Sequence, residues 1–425
     1  MLRAVGTVPR EWGLRAPSSL DAAVADLRDL AGSDTRLYRL ARLASLWLLP
    51  VMLGIVLTGF ELGPAPGRDC AGNALGVDFT QVWAAGQAAL RGGAGEPYDL
   101  PRHLQNLREA FGPECRFAWH YPPVFLLPAA AVAALPPPTA FLAWTLAGTA
   151  LFALALRFAG GRAALLVGLA HPLVFCNLAY GQNGLFTAGL LTLGALLVDR
   201  RPLVAGLCFG LVAYKPQLAA LAPLLLLATG RWRCLVACAA TVAALCLGAF
   251  LAFGSAPWLG FLGTLGETDR IILRQAAAGL DLNASAYGAV RLAGGPFALA
   301  WAAQIAASLG ALALAWRVWA TCPDPLLRAA TLLAAAPMLS PYVPVYDLAP
   351  LVPATVLLVV AARRAGGLHA HERWLLIASP LTAALRVGAE ATGIGFGLIF
   401  ALATLACLAA RALPRAAPRG LGALP

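Results

Sequence analysis

Apolar runs of membrane-spanning length recur from Val51 to Ala410, and arginine gathers in the short polar stretches between them. Two of these runs, residues 139–156 and 234–253, carry no charged side chain at all. A helix of about 20 such residues crosses the hydrocarbon core of a bilayer. It satisfies its backbone groups within its own segment, which lipid demands. No stretch alternates with the two-residue period of a barrel strand. The pattern predicts spans at residues 43–60, 122–135, 139–158, 163–180, 185–198, 202–214, 217–229, 234–253, 296–316, 326–340, 347–361, 374–389 and 393–410. Proline at 172 splits the fourth of these, because it removes a helix hydrogen bond, and the second is short. One of these two is expected not to cross.

Composition agrees with that class. The chain has 425 residues, 60% of them hydrophobic and 12% charged, against about 25% charged for a soluble domain. The net charge of +11 does not point to nucleic acid. The basic residues sit at span ends: Arg36, Arg39 and Arg42; Arg200 and Arg201; Arg231 and Arg233; Arg363, Arg364 and Arg373; Arg411, Arg415 and Arg419. Under the positive-inside rule these clusters put both termini in the cytoplasm, with residues 199–201, 230–233, 317–325 and 362–373. Both termini inside requires an even number of crossings, which is why one predicted segment must fail. Residues 61–121, the Gln182 region, Lys215–Gln217, residues 254–295 and 341–346 fall on the far side. The chain then divides into a cytoplasmic segment 1–42, a membrane domain 43–410 with outer loops 61–121 and 254–295, and a tail 411–425. Residues 19–42 read as an amphipathic helix at the membrane surface. The apolar stretch from Leu43 to Phe60 runs into Glu61-Leu-Gly-Pro rather than a small-residue cleavage site, so it reads as a retained anchor. No internal repeat of the kind found in many transporters is evident.

Of nine cysteines, seven lie in or beside apolar spans and read as small hydrophobes. Cys70 and Cys115 lie near the ends of the first outer loop, where a disulfide is chemically reasonable. Four polar features in the outer regions can carry chemistry. In Gly76-Val-Asp-Phe-Thr-Gln-Val-Trp-Ala-Ala-Gly86, a helix beginning at Asp78 would place Phe79, Val82, Trp83, Gly86 and Leu90 on one face. Asp78 either caps that helix or accepts a proton from a substrate hydroxyl. In Trp119-His-Tyr-Pro-Pro123, Trp119 and Tyr121 suit an interfacial anchor and His120 a polar contact. The amides of Gln182 and Asn183, between Gly181 and Gly184, offer a tight turn with groups for a sugar or phosphate. Lys215, the chain's single lysine, either snorkels or meets a phosphate as a compact cation. Asp347, in Ser340-Pro-Tyr-Val-Pro-Val-Tyr-Asp347, either pairs with Lys215 or joins it in binding substrate. No His, Cys, Asp and Glu spacing marks a metal site.

Taken together, these residues resemble glycosyltransferase family 87, the bacterial polyprenyl-phosphate-mannose-dependent mannosyltransferases of the GT-C superfamily. The carriers are Asp78-Phe79 and the helix after them, Tyr98-Asp99, Tyr121-Pro-Pro123, Gly181-Gln-Asn183, Lys215-Pro216 and Ser340-Pro341 before Tyr346-Asp347. The resemblance spans roughly residues 43–410. It implies an all-α integral membrane protein with a GT-C-type bundle of about 12 transmembrane helices and an extracytoplasmic loop carrying amphipathic helices. It further implies a multi-pass protein of the bacterial inner membrane with its active site facing outward. The expected reaction is inverting transfer of a hexose, mannose in the family, from a polyprenyl-phosphate donor to a lipid-linked or envelope glycan acceptor. Asp78 would be the base. Lys215, Gln182, Asn183, Tyr121, His120, Tyr346 and Asp347 would contact substrate. Partners would be the polyprenyl-phosphate-linked sugar donor, a lipid-linked or glycan acceptor and membrane lipids, with no cofactor and no nucleic acid. One departure stands out: several members carry histidine after Ser-Pro, where this chain has Tyr346-Asp347. The competing readings are a transporter or flippase and a lipid-linked-glycan ligase or polymerase. The second ordinarily uses arginine and histidine in a large late loop, whereas residues 254–295 hold Arg270 and Arg274 but no histidine.

Overall fold

The structure, a computed structural model, describes residues 32–61, 76–113, 115, 117–276 and 279–413. Among these residues the regular structure is helical, save one isolated bridge between Asn283 and Pro344. The main helices are α1 (Asp34–Glu61), α2 (Phe79–Leu90), α3 (Leu100–Phe111), α4 (Leu126–Ala133), α5 (Pro137–Leu169), α6 (Pro172–Tyr180) and α7 (Gly184–Leu197). They continue with α8 (Pro202–Gly210), α9 (Trp232–Phe253), α10 (Ala256–Thr268), α11 (Phe297–Thr321), α12 (Pro325–Ala335), α13 (Leu351–Arg364) and α14 (Phe396–Ala412).

Four helical stretches among the described residues are long and apolar enough to cross a membrane: Pro137–Leu169, Trp232–Phe253, Phe297–Thr321 and Val345–Arg364. Six further apolar stretches, including Pro123–Ala133, are 10–17 residues long. The reason many predicted spans emerge short is the placement of proline. Pro137, Pro172, Pro202 and Pro325 each stand in the first turn of a helix, where a missing N–H costs nothing. Pro216 divides the run 202–229 in the same way.

The two segments suspected of not crossing are both short or broken. Residues 163–169 belong to α5, which bends at Gly160 and Gly161, the latter at φ +73. At the next break His171 caps α6, its Nδ1 accepting from the Leu173 N–H at 3.2 Å. Its Nε2 lies 2.7 Å from the Ser379 hydroxyl. The N-terminal expectation is corrected in part. Arg36, Arg39 and Arg42 do not form a separate surface helix, because α1 runs without interruption from Asp34 into the apolar stretch. The part of residues 19–42 before Gly32 lies outside the described residues.

α5, α7, α8, α12, α13 and α14 share the main apolar core, and α13 lies almost wholly inside the bundle. By contrast α9 and α11 turn large apolar side chains outward: Val236, Leu251, Leu309 and Trp316 are each more than half exposed. An apolar exterior on long helices is what hydrocarbon, not water, covers, and it marks a membrane protein. A second cluster joins Phe79, Trp119, Phe125, Phe141, Trp144 and Tyr214. It is an aromatic floor between α2, α4 and α5 that fixes where α2 begins.

Candidate active site

The start of α2 is stitched to the end of α6. The Gly76 N–H donates to the Ala179 carbonyl at 3.1 Å, and the Asp78 N–H to the Tyr180 carbonyl at 3.1 Å. Two glycines make this approach possible. Gly76 and Gly181 have φ +64 and +68, a region that side-chain-bearing residues rarely adopt. A Cβ on Gly181 would sit 2.7 Å from the Phe79 Cβ and 3.0 Å from the Gly76 Cα. The Gly181 carbonyl accepts from the Trp144 indole N–H at 3.2 Å.

This geometry speaks against the capping reading of Asp78. The residue precedes α2 but has helical φ −79 and ψ −18, and its side chain makes no capping bond; a capping residue ordinarily has non-helical angles. Its Oδ2 instead accepts from the Gln182 side-chain amide at 2.6 Å. Burial pushes the Asp78 carboxyl up to about 6, with the Asp347 charge adding to the rise and the Gln182 bond and Lys215 charge opposing it. α2 is also more enclosed than one apolar face requires. Phe79, Val82 and Gly86 are buried as expected, but so are Thr80, Gln81, Ala84 and Ala88, while Leu90 is exposed.

Lys215 is held where a 3₁₀ turn, Leu211–Tyr214, stops before Pro216. The residue before a proline is kept out of the helical region, and Lys215 has φ −125 and ψ 71. Its ammonium lies 2.5 Å from the Asp347 Oδ1, with side chains only 4% and 5% exposed. An ammonium has three donors, so one is engaged. The Tyr346 ring centroid is 5.9 Å away, within cation–π reach. Asn177 holds the same tyrosine by its carbonyl at 3.0 Å. Next to the amide turn, Asn183 donates from Nδ2 to the Tyr121 hydroxyl at 2.9 Å, and Tyr98 donates to the Tyr121 carbonyl at 3.0 Å. The buried Asn183 Oδ1 has no hydrogen-bond partner among the described residues.

The structure therefore gathers Asp78, Gln182, Asn183, Tyr121, Lys215, Tyr346 and Asp347 from separate parts of the chain. His120 lines a small cleft with Pro97, Tyr98, Leu100, Trp119, Thr264 and Ile271. Asn283 and Ser285 do not stand out in the sequence, yet they place the Tyr346-Asp347 loop. Asn283 Oδ1 accepts from the Val343 N–H at 2.9 Å, and the Ser285 hydroxyl donates to the Pro341 carbonyl at 2.6 Å. Nothing in their local sequence signals it, because both act on a loop more than 50 residues on. Tyr342 faces Asp78 electrostatically as well. Cys115 packs beside Ala84 and Leu107; its suggested partner, Cys70, lies outside the described residues.

His369, His371 and Glu372 approach one another within 4.8 Å. The cation already there is Arg411, which donates to both Glu372 oxygens at 2.5 Å. A guanidinium so placed takes the carboxylate that a metal would need.

Among known proteins, the profile of glycosyltransferase family 87 matches residues 119–341. No curated protein and no solved structure matches the chain. The matched region contains His120, Tyr121, Gln182, Asn183 and Lys215, whereas Asp78 and Asp347 lie outside it. With more than half of the chain matched and an all-helical membrane architecture around it, the protein belongs to glycosyltransferase family 87 and is a glycosyltransferase of the membrane.

Proposed function

We propose that this glycosyltransferase moves a hexose, mannose by family resemblance, from a polyprenyl phosphate to a hydroxyl of a lipid-linked or envelope glycan acceptor. The observation that carries this reading is the part-buried carboxylate of Asp78, held by Gln182 beside the buried Lys215–Asp347 pair. A general base and a cation in one water-poor site are what single-displacement glycosyl transfer from a phosphate requires.

In that reaction the acceptor oxygen attacks the anomeric carbon while its proton passes to Asp78. The bond from that carbon to the phosphate oxygen breaks, and the electron pair leaves with the polyprenyl phosphate. One displacement inverts the anomeric centre. Lys215 keeps two N–H donors for the leaving phosphate, whose charge grows as the bond breaks. The tyrosines 121 and 346 and the amide of Asn183 border the place where the sugar would lie. His120 would contact the more distant part of the acceptor. The site would face the outside of a bacterial inner membrane, in a GT-C-type domain over residues 43–410, flanked by cytoplasmic segments 1–42 and 411–425.

Family membership favours an enzyme over a transporter or flippase. The absence of histidine from residues 254–295 weighs against a whole-glycan ligase. The test is sugar transfer by the purified protein in nanodiscs, offered labelled polyprenyl-phosphate mannose, glucose and arabinose with a native lipid extract. Transfer from mannose alone supports the reading in full. Transfer from another donor corrects the sugar, and none from any of them removes the polyprenyl-phosphate donor.

A further inference from the structure

Gln182 belongs to a motif that suggests substrate contact, yet its side-chain nitrogen already donates to Asp78. Its Nε2 lies 2.6 Å from the Asp78 Oδ2, and the residue is 8% exposed. Among the described residues this is the hydrogen bond that the Asp78 carboxylate accepts. The remaining ionisable groups around Asp78 are Lys215, Asp347, Tyr121, Tyr342 and Tyr346. Lys215 uses one of its three donors on Asp347, and Tyr121 accepts from Asn183.

Donor and acceptor are also held in register. The Gln182 N–H donates to the Asn177 carbonyl at 2.9 Å, closing the turn after α6. Asp78 is tied to the same turn through its own N–H and the Tyr180 carbonyl. The side-chain bond thus spans two backbones that are already joined, with Gly181 closely packed on Gly76 and Phe79. A neutral amide suits the position. It orients a carboxylate and favours its ionised form without adding a charge that would hold the carboxylate as an ion pair.

Resting on the reading of Asp78 as the base, we infer that Gln182 is a positioning residue that holds Asp78 by Oδ2, so that Oδ1 is the atom that takes the acceptor's proton. Gln182 is then not a sugar ligand.

The experiment is the pH dependence of kcat and the donor KM for full-length protein in nanodiscs, with polyprenyl-phosphate mannose as donor. Wild type is compared with Gln182→Met, Gln182→Asn and Asp78→Asn. Methionine keeps the length and removes the donor; asparagine keeps the amide but retracts it. Both variants are expected to shift the acidic limb of kcat upward by about one pH unit, since a hydrogen bond to the charged form is lost. At pH 6, close to the wild-type limb, kcat falls roughly fivefold, recovers above pH 8, and the donor KM stays within twofold. A tenfold rise in donor KM with an unmoved limb overturns the inference and makes Gln182 a sugar ligand. A kcat loss uniform in pH, with a lowered melting temperature, makes it a structural brace and also overturns it. Full activity in Asp78→Asn removes the base and the inference together, so the two failures are told apart.

Discussion

The ammonium of Lys215 lies 2.5 Å from the carboxylate of Asp347, and the two residues stand 132 positions apart in the chain. Both side chains are nearly sealed from solvent. Two charges taken out of water lose several kcal/mol each in hydration, and only close pairing offsets that loss. The pair therefore holds the 3₁₀ turn before Pro216 against the loop after Ser340, and keeps a cation beside Asp78.

Breaking this pair from one side is expected to be costly. Lys215→Met or Asp347→Asn should each destabilise the protein by about 3–5 kcal/mol, because the surviving charge is left buried and unpaired. The double variant should regain most of that stability yet remain inactive in transfer. A thermal-unfolding double-mutant cycle in detergent checks this. A double variant no more stable than the singles would show that the pair contributes little coupling.

Replacing Asp78 with asparagine should lower sugar transfer by about 10²–10⁴-fold, the span a positioned general base supplies. The change is nearly isosteric and the Gln182 amide can still donate to the new carbonyl, so the melting temperature should hardly move. Transfer rates and unfolding curves on the same preparation separate the two effects. Undiminished transfer would take the base role away from Asp78.

Transfer should depend on pH through the same carboxyl. Burial raises it to about 6, and only the ionised form can take a proton. The rate should be level above neutrality and fall about tenfold for each unit below pH 6. A profile of kcat/KM between pH 4.5 and 8.5 tests this, and a limb near pH 4 would mean that the free site is well hydrated.

Gly181→Ala should damage both stability and activity. Left-handed backbone costs a residue with a Cβ about 1–2 kcal/mol, and here the Cβ also meets the Phe79 Cβ at 2.7 Å. Gly92 provides the control: it has φ +83, and nothing lies within 4 Å of where its Cβ would stand. Gly92→Ala should show the backbone cost alone, with transfer unchanged. Equal activity loss in the two variants would mean that the packing of Gly181 on Phe79 is not what places Asp78.

The membrane class and helical architecture were legible because hydropathy is a one-dimensional property: a run that must meet hydrocarbon shows itself in its own composition. The arginine clusters, the lone Lys215 and the amides between Gly181 and Gly184 stood out for a similar reason, each being an unusual choice against an apolar background. Helix ends were legible less well. Proline marks where a helix begins, but whether Gly160-Gly161 or His171-Pro172 makes the larger break depends on packing on both sides.

What only the tertiary structure decided is who meets whom. Local sequence left Asp78 as either a helix cap or a proton acceptor. Its helical backbone angles and the Gln182 amide, 104 positions away, made it a part-buried, hydrogen-bonded carboxylate rather than a cap. Asn283 and Ser285, unremarkable in sequence, fix the loop that carries Asp347, and Arg411 occupies the one histidine–glutamate cluster among the described residues. Residue type and spacing determine what a segment must bury and what chemistry it can offer. The partner each polar group finds once water is excluded is set by contacts across the bundle, and linear spacing carries no record of those distances.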